Sequence, residues 1–153
     1  MKRNPIMKDG IHLFAGLILV VLAIANASGQ PNPLPNPVLY FVGQEPFQAS
    51  GKQWMRYRYE VDNFTAYPDA LFAPAPALPP CGANTNSSRT WVDIFDQSGK
   101  RLNGFCALGN AKNLNGIWFA LEEDKIPPSW IYIEMNDRQT STKYKSNLAD
   151  SVL

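Results

Sequence analysis

The sequence predicts an all-β fold, a β-sandwich of six to seven short strands with one disulfide. Short apolar runs recur with turn residues at intervals of roughly ten residues, and no segment sustains a long helical period. Thr90 to Leu108 (TWVDIFDQSGKRLNGFCAL) reads as two strands joined by a tight turn. Its second strand carries Cys106, one of only 2 cysteines, and the other, Cys81, closes the proline-rich run Ala73 to Pro80. A hairpin stapled to the loop before it suits a small extracellular β-domain, because disulfides persist in oxidising compartments.

The N-terminus points to export. Lys2, Arg3 and Lys8 make a basic start, and Ile11 to Ala25 is apolar but for His12 and Gly16. Ala25-Asn26-Ala27 then gives the small-x-small cleavage pattern, so residues 1–27 are expected to be a secretory signal. The apolar run is shorter than the roughly 20 residues a spanning helix needs, which predicts no stable membrane span after cleavage. No cysteine near the cleavage site offers a lipid anchor. The expected location is secreted or periplasmic.

Removal of Lys2, Arg3, Lys8 and Asp9 takes the formal net charge from +1 to −1. A nearly neutral domain without a basic block lacks the electrostatic footprint for nucleic acid. The single histidine, His12, leaves with the signal. That removes Ser-His-Asp and Cys-His catalysis, histidine general bases and most zinc and copper sites. No cofactor or metal is expected, and binding or structure is a better expectation than catalysis.

Residues 28–37 (SGQPNPLPNP) have a polyproline-like spacing and read as a semi-rigid tether ahead of the domain, 38–150. Val38 to Val42 is an apolar run and the expected first strand, and Gly43 to Gly51 reads as a turn region. Gln53 to Asp62 alternates cleanly. Met55, Tyr57, Tyr59 and Val61 point one way, while Trp54, Arg56, Arg58 and Glu60 point the other, as on a half-buried strand. Thr65 to Phe72 suggests one helical turn, with Thr65 as its cap. The proline-rich Ala73 to Asn86 cannot be a central strand, since proline donates no ladder hydrogen bond.

The hairpin follows, Thr90 to Phe95 and Arg101 to Leu108, turning at Asp96-Gln97-Ser98-Gly99. Gly116 to Leu121 and Trp130 to Asn136 read as strands on either side of the acidic loop Glu122 to Ser129. Ser141 to Leu148 is the expected last strand, at an edge given Lys143 and Lys145.

The run from Tyr67-Pro68-Asp69 through Cys81-Gly82 and Thr90-Trp91-Val92-Asp93 to Gly104-Phe105-Cys106 resembles small secreted bacterial β-domains of unassigned function, fibronectin type III-like in style. The resemblance implies an immunoglobulin- or fibronectin-like sandwich. The antibody-type Cys-Trp-Cys spacing is missing, because Trp91 follows closely on Cys81. The resemblance carries over no functional residue.

Cys81 and Cys106 are expected to pair, and without Cys-x-x-Cys spacing the bridge reads as structural. Among the 4 tryptophans, Trp54 shares a wet strand face with Arg56 and Arg58. Trp118 stands opposite Ile117, Phe119 and Leu121, and Trp91 and Trp130 belong to the core or its rim. Trp54, Arg56, Arg58 and Trp118 are therefore the candidate ligand-binding residues of a carbohydrate-binding module, since flat aromatic rings offer apolar faces with a polar handle. The disulfide-anchored stretch 73–82 is the rival, a presented loop of the protease-inhibitor or protein-binding kind. The partner is accordingly an unknown protein or a polysaccharide.

Glu134 and Asp137 are the carboxylates that best approach a glycosidase pair, but one small sandwich is a poor scaffold for it. Glu122-Glu123-Asp124 reads as a solvated acidic turn. Asn63-Phe64-Thr65 and Asn86-Ser87-Ser88 are glycosylation sequons.

Overall fold

Alternation decides where the core lies. On the second strand, β2 (Lys52–Val61), Tyr57, Tyr59 and Val61 are buried while Arg58 between them is exposed. The same period-two burial runs along β3 (Thr90–Asp96), through Val92 and Ile94, and β6 (Trp130–Asp137), through Ile131, Ile133 and Met135. The computed structural model describes residues 33–81 and 87–151, which belong to one compact unit. The expected signal, 1–27, lies outside the described residues, as do 28–32, Gly82 and Asn86.

The remaining strands are β1 (Leu39–Ala49), β4 (Arg101–Ala107), β5 (Ile117–Glu122), β7 (Thr142–Lys145) and β8 (Ala149–Asp150). They form two antiparallel sheets, one ordered β1-β2-β5 and the other β4-β3-β6-β7, with β8 also pairing with β6. The inward residues of both sheets join one apolar cluster, capped by Tyr67, Leu71, Phe72 and Leu114. The protein is an all-β sandwich, with 8 strands among the described residues rather than six to seven.

Three local readings are corrected. The turn expected over Gly43 to Gly51 is mostly strand, since β1 continues to Ala49. An irregularity between Phe41 and Gly43 absorbs the glycine, whose φ is +153°. Pro46 is tolerated because β1 is a sheet edge, where the N–H a proline lacks is not needed for the ladder. The actual turn is Ser50-Gly51, with φ of +53° and +73°, the doubly positive geometry that matches hairpin twist.

The helical turn expected over Thr65 to Phe72 is two 3₁₀ pieces, Phe64–Ala66 and Asp69–Phe72, and no side chain caps either. The last strand is β7 followed by the two-residue β8, because Ser146 turns inward to accept the Ile133 N–H at 2.9 Å.

The proline-rich segment is docked along its described part rather than free. Pro37 is buried, Leu34 packs against the core, and the Tyr67 hydroxyl donates to the Pro35 carbonyl at 2.7 Å. Asn63, the first residue of one sequon, clasps it further. Its amide donates to the Asn36 carbonyl at 3.0 Å and accepts the Val38 N–H at 2.9 Å.

Candidate functional site

The outward face of the β1-β2-β5 sheet carries all four residues singled out from the sequence. Register sets its rows. Phe47, Trp54 and Glu122 lie side by side, then Glu45, Arg56 and Ala120, then Gly43, Arg58 and Trp118, with Tyr40 beside Glu60 at the end. Directly opposed residues have Cβ atoms about 5 Å apart, so each row is a contact set.

Three of these side chains form a stacked series around Arg56. Phe47 stacks on Trp54 with ring centroids 6.4 Å apart and planes at 26°. The Arg56 guanidinium lies 4.8 Å from the Phe47 centroid and 4.8 Å from that of Trp118. Its Nη1 also donates to Glu45 Oε1 at 2.9 Å. Arg56 is thereby committed within the protein, bridging β1 and β5 across β2.

Trp54 is half-buried, and its Nε1 donates to the Ala49 carbonyl at 3.3 Å. It supports the face rather than presenting its ring. Trp118 is 41% exposed, and on the edge strand β1 Tyr40 and Val42 are open to a similar degree. The Tyr40 hydroxyl donates to Glu60 Oε2 at 2.6 Å, and that bond to a carboxylate raises its pKa. Phe47 and Glu45 escaped the sequence reading because the second half of β1 resembled a turn. The outward alternation of Glu45, Phe47 and Ala49 across Pro46 was the available signal.

The other sheet's outer face is closed upon itself. Trp91 Nε1 donates to Asp93 Oδ1 at 2.7 Å, the same oxygen accepts Arg101 Nε at 2.5 Å, and Arg101 lies over the Trp91 ring. Phe95 stacks on Tyr132, which Lys145 covers at 4.0 Å. Trp91 is half-buried and Trp130 is 43% exposed, which places Trp130 at the rim.

The loop before β3 is tied down at several points. Cys81 and Cys106 form the disulfide, with Cα atoms 5.9 Å apart. Arg138 Nη1 donates to Cys81 Sγ at 3.0 Å and to the Ser88 carbonyl at 2.9 Å, and Nη2 to the Pro79 carbonyl at 2.7 Å. Pro74 bridges to Ser88. Beneath the loop is a cavity of about 250 Å³ lined mainly by Ala73, Pro74, Ala75, Pro76 and Leu78, with Arg89 at its side.

The carboxylates do not converge. Asp137 is 3% exposed and takes Arg89 Nε at 2.8 Å and Nη2 at 2.6 Å, which together hold its pKa down at about 2. Glu134 lies on the opposite side of β6, 3.5 Å from Lys143. In the acidic turn, Lys52 Nζ donates to Glu122 Oε1 at 2.5 Å. Among the described residues no three His, Cys, Asp or Glu side chains are grouped to hold a metal ion. Also among them, no helix is long and apolar enough to cross a membrane.

No family model matches the chain, and no curated protein or solved structure was found to match it.

Proposed function

We propose that this is an exported, non-catalytic binding module, fibronectin type III-like in strand arrangement, that recognises a glycan on the outward face of β1-β2-β5. The carrying observation is the half-exposed Trp118 ring, backed by the Arg56–Phe47–Trp54 stack, with Tyr40 and Val42 exposed on the edge strand β1 of the same sheet. A ring held by its own sheet loses little freedom on binding, so its apolar area is available for affinity. The strand order β1-β2-β5 against β4-β3-β6-β7 supports the fibronectin-like reading, and the disulfide supports export. The test is a polysaccharide panel read by tryptophan emission and acrylamide quenching. Binding should protect a quenchable component that Trp118→Ala removes. A panel without binders, or binding that survives Trp118→Ala, refutes the assignment.

The anchored loop 73–82 supports a second reading, protein binding, because its apolar cavity is pre-formed by a segment fixed at both ends. A partner captured there would be lost on reduction of the disulfide and indifferent to Trp118→Ala.

A further inference from the structure

The two arginines of the face are in different states. Arg56 has Glu45 on one side at 2.9 Å and rings on both neighbouring strands. Arg58 has neither. Its cross-strand neighbours are Gly43, which has no side chain, and Trp118. A Cβ built on Gly43 would meet nothing within 4 Å, so the space beside Arg58 is open. The nearest carboxylate oxygen, Glu45 Oε2, stands at 3.9 Å and belongs to a group already bound to Arg56. Two guanidinium groups thus share one carboxylate. Glu60, the next outward residue along β2, is occupied by the Tyr40 hydroxyl. The Arg58 side chain remains 50% exposed.

Resting on the ligand face proposed above, we infer that the Gly43–Arg58–Trp118 row selects an acidic glycan: a sugar ring lies on Trp118 while its carboxylate pairs with Arg58. The guanidinium presents a planar fork of donors that matches a carboxylate with two parallel hydrogen bonds. The row offers an apolar plate and a cation side by side, within the reach of one substituted pyranose. Gly43 leaves the carboxylate room to approach from the β1 side. A neutral sugar would use only the plate.

The experiment compares polygalacturonate with its fully methyl-esterified form, which keeps the rings and removes the charge. Dextran sulfate serves as the arm for a sulfate ester. Isothermal titration with the folded domain should show polygalacturonate bound about tenfold more tightly than the ester, with the advantage shrinking as salt rises. Arg58→Gln should erase that advantage while leaving the weak binding of the ester. Trp118→Ala should weaken both. Equal affinity for acid and ester, still sensitive to Trp118→Ala, overturns the acidic selectivity and leaves the glycan face standing. Tighter binding of dextran sulfate than of polygalacturonate overturns the carboxylate preference. Absence of binding to polygalacturonate, alginate and hyaluronan overturns the inference outright, and a neutral polysaccharide bound through Trp118 would then separate its failure from that of the face.

Discussion

The Arg56 guanidinium stands 4.8 Å over the Trp118 ring, and it holds that ring in place from the middle strand of its sheet. Replacing Arg56 by alanine removes two ring contacts and the bond to Glu45 together. It also removes a buried Nε that finds no partner, which offsets part of the loss. We expect a cost of about 1–2 kcal/mol in urea denaturation, and stronger acrylamide quenching of Trp118. Arg56→Lys keeps the charge without the flat fork and should recover less than half of the loss. Unchanged stability and quenching in both variants would show that the rings stand without the guanidinium.

Asp137 and Arg89 set the acid limb of stability. The carboxyl's folded pKa, about 2, lies below its unfolded value, so the ionised pair stabilises the fold above the unfolded pKa. That contribution, on the order of 2 kcal/mol, is present in full at neutral pH. It is lost as pH falls from about 4 toward 2. Arg89→Ala should destabilise at neutral pH and flatten the acid limb, and a variant with an unaltered acid limb would contradict the assignment.

The alkaline limb belongs to buried tyrosine. Burial pushes Tyr59 up to about 12, and its hydroxyl donates to Ser151 at 2.9 Å. The raised folded value favours the neutral phenol, so this stabilisation is intact below the unfolded pKa near 10 and lost as pH rises through the folded one. Tyr59→Phe should reduce that dependence in spectroscopic titration of unfolding, the rest staying with Tyr67 and Tyr57, whose phenols burial also pushes up. An alkaline limb that persists at full size would assign it elsewhere.

Much of the fold was legible because the core strands obey period two. Tyr57, Tyr59 and Val61 fall inward, and Arg58 falls outward, as their alternation requires. β1 was read too short because Gly43 and Pro46 are usually turn residues. Here one sits at a bulge and the other on a sheet edge, and only the assembled sheet reveals either condition. Trp54, Arg56, Arg58 and Trp118 do share a face, since register between β2 and β5 carries the alternation across. Their separate roles were not legible. Whether an arginine is tightly or loosely paired depends on Glu45 and Gly43, which only pairing with β1 brings alongside.

Removing the Cys81–Cys106 bridge as Cys81→Ala with Cys106→Ala should cost roughly 3 kcal/mol, the chain-entropy value for a bridge spanning 25 residues. The sheets should survive, because the β3–β4 and β3–β6 ladders are paired independently of the bridge, which ties only the loop to the edge strand β4. Limited proteolysis should then cut within 73–88 before anywhere else among the strands. Early cleavage inside β3 or β4 instead would show that the bridge holds the sheet rather than the loop.

Asn147 closes the start of the exposed edge of β1 as a neighbouring strand would. Its Oδ1 accepts the Leu39 N–H at 2.7 Å, and its Nδ2 donates to the Leu39 carbonyl at 2.9 Å. Leu39 is 2% exposed, so both backbone groups would lose their partner away from water. Asn147→Ala should therefore cost about 1–3 kcal/mol, more than an exposed polar residue ordinarily does. Asn147→Asp retains the acceptor, but sets a carboxylate oxygen against the Leu39 carbonyl and should be no better than alanine. Amide hydrogen exchange at Leu39 reads the effect directly. Protection should fall in both variants while that of Tyr59, in the middle strand, holds, and full protection at Leu39 in Asn147→Ala would show that water or another side chain closes the edge.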